Sequence, residues 1–351
     1  MFERLGVADA RALTAVDAGR ESGKDRGLVE QFTVVLDQLI GFAIMLVIGY
    51  ICVKCKVYGE KTLNGICQLI LKVGIPLMVF SNATAGATRD DLFKSGIVLV
   101  FQLVMYVLLI GSTWLIARVM RLPVDRGHIF QAAFVFGNVG FVGLPLLIAL
   151  FPERGALYYS LMALLDQFLM WTYGVWLTTP QSKRHADDHV VVPLSQRLRG
   201  LLSPGLVAVI VSLLAILVGI RLPDDILTPL HTVGSISTPL SLMYIGGLFA
   251  LRDWAGTLKR PEVYVGIVVK MLIIPIVLFF LLTCVPPMLG WGTADSDMVH
   301  TVTVVCAMPT MTALVMFAER ERNMPEYAVG LVLVTTVASL LTLTGVSYIV
   351  F

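Results

Sequence analysis

The stretch FVFGNVGFVGLPLLIALF, residues 134–151, is apolar enough to cross a membrane but is interrupted at its centre. Gly140, Gly143 and Pro145 lie in its middle, and Gly and Pro are the residues least suited to a helix interior. Asn138 adds an amide that hydrocarbon cannot solvate. Backbone leaves the helical form at membrane depth only where protein or a polar cavity satisfies its hydrogen bonds. The stretch therefore predicts an interrupted membrane segment beside a polar site.

The composition of the whole chain indicates a membrane protein. The 351 residues are 57% apolar and only 14% charged, with a mean hydropathy of +0.84. Soluble proteins carry about 25% charged residues. Apolar runs near the ~20 residues that span a bilayer recur along the chain. We predict an all-α polytopic membrane protein with ten transmembrane helices, at about 31–53, 63–86, 95–119, 128–150, 156–178, 202–220, 226–250, 262–285, 299–318 and 327–350.

The distribution of basic residues orients these spans. One set of alternate loops contains fifteen Lys and Arg residues, whereas the opposite set contains four. Because basic loops stay in the cytoplasm, we expect the loops with fifteen to be cytoplasmic and both termini to be periplasmic. The polar N-terminal tail, residues 1–30, contains basic and acidic residues in similar numbers and is expected to be disordered.

Four prolines suggest an internal repeat. Pro76 lies in span two within GIPLMVF, and Pro145 lies in span four within VGLPLLI. In the second half, Pro239 lies in span seven within STPLSLM, and Pro309 lies in span nine within CAMPTMT. The two separations are 69 and 70 residues. Because each copy has an odd number of spans, the second copy starts on the opposite side of the membrane and is inverted, as in many secondary transporters. We predict a first five-helix repeat at 31–180, a connector at 181–200 and an inverted second repeat at 201–351.

Breaks in spans four and nine, at Gly140–Pro145 and Met308–Thr312, would leave helix ends near the middle of the membrane. The N-terminus of a half-helix carries free N–H groups and partial positive charge, which suit an anion. The alternative is that the glycines only permit close packing and the prolines only kink. We favour a substrate site, whose candidate residues are Asn138, Gly140, Gly143, Pro145 and Pro309, with Thr310 and Thr312 as hydroxyl partners.

Ionisable residues inside the membrane are functional candidates. Lys72, at the depth of Asn82, either attracts an anionic substrate or pairs with Asp37 or Asp166. Asp166 is the better candidate for proton coupling, and its alternative is a buried carboxylate held by hydrogen bonds. Lys270 either compensates Asp166 or contacts the substrate.

The polar and cysteine residues suggest neither a metal site nor a cofactor. Cys52 and Cys55 form a lone CxxC without the further ligands that zinc requires. The net charge of +2 gives no indication of a nucleic-acid partner.

Four segments in order resemble motifs of the auxin efflux carrier family. GNVGFVGLPLL, with Asn138 seven residues before Pro145, resembles the fourth-helix motif, and AMPTMTALVMFAERE resembles the ninth-helix motif. LILKVGIPLMVFSNAT and the IGY of Ile48–Tyr50 resemble the second and first helices. The resemblance covers residues 32–351. The family includes plant auxin exporters and bacterial malate and malonate permeases.

The resemblance implies ten helices in two inverted repeats, with helices four and nine broken and crossing at the substrate site. It also implies a scaffold of helices one, two, six and seven, against which the other six move as an elevator. Asn138, Pro145 and Pro309 match the family's site positions. Plant exporters have a second Pro where this chain has Ala313, and their long loop is absent from Pro180–Gly200. Both departures favour a bacterial-type carrier over an auxin exporter.

Our leading hypothesis is a secondary carrier of a small organic anion, a mono- or dicarboxylate, in a bacterial inner membrane, with protons as the preferred coupling ion. A sodium-coupled relative of the bile-acid carriers is the main alternative. An intramembrane enzyme is a remote one, because the sequence has no GxSxG, no HExxH and no pair of aspartates in a protease-like setting. The substrate, the transport direction and a homodimeric state are left open.

Overall fold

The computed structural model describes most of the chain, in eight ranges: 40–86, 88–143, 146–147, 150–152, 154–183, 204–220, 222–288 and 295–351. The predicted tail 1–30, Asp37, Pro145 and most of the connector 181–200 lie outside these ranges. Within them the chain is helical apart from turns, and its only β-type pairing is one isolated antiparallel bridge. The predicted all-α class is therefore confirmed.

The helices of the first half are α1 Ile40–Lys54, α2 Glu60–Leu69, α3 Ile75–Gly86, α4 Arg89–Lys94, α5 Ile97–Val119, α6 Val124–Val135, α7 Gly155–Leu169 and α8 Val175–Thr178. Those of the second half are α9 Pro204–Val218, α10 Asp224–Ser235, α11 Ser237–Leu251, α12 Pro261–Val268, α13 Ile274–Met288, α14 Ser296–Ala307, α15 Ala313–Glu321 and α16 Pro325–Val350. Short π-helical segments join several of them, namely π1 Ile70–Gly74, π2 Val139–Gly143, π3 Met170–Gly174 and π4 Val269–Ile273.

Within the described ranges, five helical runs are long and apolar enough to cross a membrane. They are Glu60–Ala85, Ile97–Val119, Asp224–Leu251, Pro261–Met288 and Pro325–Val350. The helices α1 and α9 are apolar but shorter. These runs confirm a helical protein with several membrane-spanning segments. The count of ten spans and the inverted repeat remain predictions.

Two prolines inside the long helical runs, Pro76 and Pro275, follow a widened turn of helix rather than a break. π1 ends two residues before Pro76, and π4 ends two residues before Pro275. Proline lacks an N–H donor and crowds the carbonyl one turn earlier, and a π-bulge relieves both problems. Pro76 therefore does not mark a break in span two. Pro239 lies in the first turn of α11, next to the turn at Ile236 that separates α10 from α11. The two prolines that suggested a repeat thus occupy different local structures.

The helices α1 and α11 cross in direct backbone contact. A Cβ atom on Gly49 would lie 2.0 Å from the carbonyl oxygen of Met243, and one on Gly246 would lie 2.0 Å from that of Leu46. Small residues allow membrane helices to approach this closely, and van der Waals packing then holds them together. Helices one and seven, which the resemblance assigns to a scaffold, are therefore joined without intervening side chains.

The helix preceding α11 is equally close to α3. A Cβ atom on Gly234, near the end of α10, would lie 2.6 Å from the backbone nitrogen of Met78. A Cβ atom on Gly74 would lie 2.0 Å from the Ser237 hydroxyl oxygen. The helix α9 packs along α3 as well. The four helices that resemble the family's scaffold thus form one tightly packed group.

We expect Gly246→Ala to destabilise this group, because its Cβ atom has no space beside the Leu46 carbonyl. Overpacking costs about 1–3 kcal/mol, and thermal unfolding of the detergent-solubilised protein should show a lower melting temperature. Gly111→Ala is the matched control, since no atom lies within 4 Å of its added Cβ. Equal melting temperatures for the two variants would contradict the assigned contact.

Candidate functional site

Two membrane segments are interrupted. The helix α6 ends at Val135, and Phe136 is extended with φ −99° and ψ 116°. The helix α14 ends at Ala307, Met308 is extended with φ −59° and ψ 147°, and helix resumes after Thr312. The predicted interruption at Met308–Thr312 is therefore confirmed.

The interruption in segment four lies upstream of its predicted position. The non-helical residues are 136–138, whereas Gly140 and Gly143 belong to π2. The prediction of a break beginning at Gly140 was wrong, and its other end, Pro145, lies outside the described residues. The break lies at 136–138 because these residues pair with the interrupted segment around Met308–Thr312. That pairing uses backbone N–H and C=O groups that a continuous helix would bond within itself.

The two interrupted segments cross and bind each other through their backbones. Gly137 and Thr310 form the isolated antiparallel bridge. The Asn138 N–H donates to the Pro309 carbonyl at 2.7 Å, and the Met311 N–H donates to the Phe136 carbonyl at 3.2 Å. Each break thus supplies the hydrogen-bond partners that the other lacks, as burial away from water requires.

Glycine at position 137 permits this approach. A Cβ atom there would lie 3.1 Å from the Met308 Cβ and 3.4 Å from the Val305 carbonyl oxygen. A larger side chain would push the two segments apart. Gly137 is a functional candidate that the sequence analysis missed, although its place directly before Asn138 was a signal.

A small cavity of about 80 Å³ lies beside the crossing. Its polar lining includes Asn138, Tyr106, Tyr159, Asp166 and Gln167. Asn138 is 4% exposed, and within the described part of the chain its side-chain amide forms no hydrogen bond. An amide left without a partner at this depth is available to a ligand.

The N-terminus of α15 borders the same cavity. Thr312 is its N-cap residue but forms no side-chain capping bond, and Met311 and Ala313 line the cavity on either side. The first N–H groups of a helix have no intrahelical partner and carry partial positive charge. The cavity therefore combines amide donors with a positive helix end, which is suitable for an anion.

Asp166 is a carboxylate in the cavity wall without a cationic partner. Its Oδ1 accepts hydrogen bonds from the Tyr106 hydroxyl and from the Gln102 amide, the latter at 2.8 Å. Gln102 also donates to the Met162 carbonyl at 3.0 Å, so α5 and α7 hold the carboxylate in place. Among the described residues, no Lys or Arg forms an ion pair with Asp166.

Comparison with known proteins agrees with this geometry. Residues 34–347 match a family described as "Membrane transport protein". The chain belongs to this family. It is the auxin efflux carrier family, which the motifs resemble, and the chain is accordingly a transporter and not an enzyme. A protein of Rhizobium meliloti (strain 1021) named "Putative malonate transporter" is 20% identical over 311 residues, which cover 87% of this chain and 92% of that protein.

The remaining candidate residues of this transporter lie in different surroundings. Gly140 lines the cavity, and a Cβ atom there would lie 3.5 Å from the Tyr159 hydroxyl oxygen. Gly143 packs near Met308 at the crossing. Asn82 reaches the site indirectly, through a hydrogen bond to Tyr159.

The hydroxyl of Thr310 is engaged within the protein. It donates to the Ala133 carbonyl at 2.8 Å, and the Thr310 N–H donates to the Thr335 hydroxyl oxygen at 3.1 Å. With 1% exposure, Thr310 stabilises the crossing and has no proton left for a substrate. Thr312, at the N-terminus of α15, is closer to the cavity.

Lys72 is not brought to the crossing cavity. Its ammonium donates to the Gln68 amide oxygen at 3.2 Å and lines a vestibule of about 770 Å³. Consecutive residues of π3 line the two spaces, Trp171 the vestibule and Met170 the cavity. Lys72 forms no described ion pair with Asp166, and Asp37 lies outside the described residues. The structure thus shows no pairing of Lys72 with Asp166, and its pairing with Asp37 stays a prediction.

The sequence analysis also missed the residues that hold Asp166. Gln102 and Tyr106 are four residues apart and therefore share a face of α5. Tyr159 and Asp166 are seven apart, which places them on one face of α7. Polar residues at helical spacing within otherwise apolar helices were the available signal, and they would have identified this cluster.

We expect Thr335→Val to destabilise the crossing of the transporter. The change leaves the buried Thr310 N–H without an acceptor, which costs about 1–3 kcal/mol. Thr336→Val is the control, because the Thr336 hydroxyl bonds only to Val332 of its own helix. Thermal unfolding in detergent should separate the two variants, and an unchanged melting temperature for Thr335→Val would refute the bond.

Proposed function

We propose that this transporter is a secondary carrier that moves a small organic anion across a bacterial inner membrane by an elevator-type movement. The substrate class is a mono- or dicarboxylate of the size of malate or malonate. The single observation that supports this most strongly is the cavity at the crossing, which is lined both by Asn138, whose amide has no partner among the described residues, and by the N-terminus of α15. The name of the Rhizobium relative agrees with a short dicarboxylate.

In the proposed bound state, one carboxylate of the substrate accepts hydrogen bonds from the Asn138 amide and from the N–H of Ala313, the first residue of α15. These donors are fixed by the backbone pairing of the crossing, so little ordering is needed when the anion binds. Hydrogen bonds to a charged group contribute about 1.5–3 kcal/mol each. The small cavity favours a compact substrate over an aromatic one.

Proton coupling through Asp166 follows from like-charge repulsion in the same cavity. An ionised Asp166 and a carboxylate substrate would share a space of about 80 Å³ without a cation near Asp166 in the described residues. Two negative charges confined to so small a space inside a protein repel each other strongly. A proton on Asp166 removes the repulsion, so proton and anion would bind together. Lys270 would contribute positive charge to the same region.

Alternating access would use the boundary between the crossing and the tightly packed α1, α3 and α9–α11. The vestibule beside Lys72 and Arg252 lies on the side that the basic loops assign to the cytoplasm, with both termini periplasmic. The crossing with its cavity would carry the anion from this vestibule toward the opposite face.

We expect Asn138→Ala to reduce uptake of labelled malonate or malate into proteoliposomes at least about tenfold, since a bond to a charged group is lost. The variant should fold, because only the backbone of Asn138 joins the crossing. Asn64→Ala removes an exposed amide in the vestibule and should leave uptake unchanged. Undiminished uptake by Asn138→Ala would refute the site.

We expect Asp166→Asn to make anion binding independent of pH and uptake insensitive to a pH gradient, because the titrating carboxylate is gone. Asp225→Asn, at an exposed position of α10, should keep the wild-type pH dependence. Substrate-dependent acidification of the vesicle lumen provides the direct measurement. Wild-type uptake that stops when choline replaces sodium, and persists without a proton gradient, would instead establish the sodium alternative.

A further inference from the structure

Lys270 is a buried cation without a counter-ion among the described residues. It lies in π4, is 2% exposed, and its ammonium donates to the carbonyl of Met308. No described carboxylate forms an ion pair with it. Removing an ammonium from water is costly unless the surroundings compensate its charge. Among the described residues, the compensation comes from the crossing itself, through the Met308 carbonyl.

The group that Lys270 contacts is a helix C-terminus. Met308 is the C-cap of α14, and the last carbonyls of a helix carry a partial negative charge of about half an elementary charge. A cation at this position is favourable, by up to about 2 kcal/mol where it is partly buried. Lys270 and the end of α14 are thus electrostatic partners.

The other helix end at the crossing is satisfied by neutral donors. The carbonyls of Ala132, Ala133 and Phe136 at the end of α6 accept hydrogen bonds from the Phe136 N–H, the Thr310 hydroxyl and the Met311 N–H respectively. Only the end of α14 receives a full charge. The two interrupted segments therefore differ in how their helix C-termini are satisfied. The cation contacts the C-terminus of α14, in the segment that continues into α15.

This asymmetry bears on anion binding. An anion in the cavity is attracted by the N-terminus of α15 but repelled by the nearby C-terminus of α14, because the two ends are separated only by residues 308–312. Without compensation, the fields of the two ends would largely cancel at the cavity. A charge placed on the α14 end leaves the attraction of α15 dominant.

We propose that Lys270 is a built-in cation at the crossing, which neutralises the C-terminus of α14 and thereby makes the adjoining cavity selective for anions. It is a positioning residue, since it contacts Met308 and is not part of the cavity lining. This inference rests on the proposed function for the identity of the anion. It differs from proton coupling, because the role assigned to Lys270 is to offset the charge of a helix end and not to exchange a proton with the substrate.

The test replaces the side chain by a diffusible equivalent. Lys270→Ala removes four side-chain atoms that correspond to n-propylammonium. We expect this variant to melt at a lower temperature and to take up malonate or malate about tenfold more slowly, within the range of helix-end charge effects. Adding n-propylammonium chloride should restore part of the lost melting temperature and part of the lost uptake rate. n-Propanol with choline chloride, which supplies the same shape without a positioned charge, should restore neither.

Two further variants separate charge from packing. Lys270→Met keeps the length of the side chain without its charge and should fold but transport slowly. Lys270→Arg keeps the charge and should retain more uptake than Lys270→Met. Lys259→Met removes an exposed cation that lines neither the vestibule nor the cavity, should keep wild-type uptake, and is the control for loss of any positive charge. If Lys270→Ala does not fold, the uptake of Lys270→Arg relative to that of Lys270→Met decides whether the charge at position 270 matters.

Wild-type uptake by Lys270→Met, or equal rescue of Lys270→Ala by propanol and propylammonium, would overturn the inference. Its failure is distinguishable from that of the proposed function. If the wild type transports no carboxylate but propylammonium alone restores the melting temperature of Lys270→Ala, the fixed charge stands and the proposed substrate class falls. If the wild type transports and uptake is independent of charge at position 270, only the inference on Lys270 falls.

Discussion

Backbone hydrogen bonding inside a membrane is the constraint on which the rest of this structure depends. A helix interrupted in hydrocarbon leaves N–H and C=O groups without water to bind them, and each costs several kcal/mol. Here two interruptions meet and satisfy each other, through Asn138 with Pro309 and Met311 with Phe136. The close approach requires glycine at position 137. Neither interruption would be stable alone, so the site exists only as a property of the pair.

The same pairing determines the electrostatics. Interrupting a helix exposes one positive and one negative end, and these ends are too close together to act independently. The end of α14 contacts the ammonium of Lys270, whereas the start of α15 is left open to the cavity. Asp166 lines the same cavity, and the donors that the described residues give it are neutral. A fixed charge, open donors and a carboxylate are thus brought together at one small cavity, which is the arrangement that the proposed coupling of proton and anion would use.

The sequence predicted the class and the general position of the site, but not its details. The interruption at Pro309 was predictable, because proline removes a donor from the helix where it lies. The interruption at 136–138 was not, because its position depends on contact with a segment about 170 residues later in the chain. Lys72 was placed at the site from its depth along a helix, whereas its ammonium lines the vestibule. Depth can be estimated from residue number, but the direction of a side chain depends on packing against other helices.

The contacts at the vestibule are compatible with a boundary that opens and closes. Arg252, beyond the end of α11, pairs with Glu60 of α2 at 2.9 Å and with Glu319 of α15 at 2.6 Å. The side chain of Glu60 is 61% exposed, and such surface ion pairs contribute only about 0–1 kcal/mol. The Glu319 side chain is only 11% exposed, so its pair with Arg252 is partly buried and joins α15 to α11 more firmly. Separating α15 from α11 would nevertheless expose both charges to water, whereas separating α1 from α11 would require parting two backbones in contact. Ionic contacts lie where the proposed movement needs freedom, and direct backbone packing lies where it needs a rigid support.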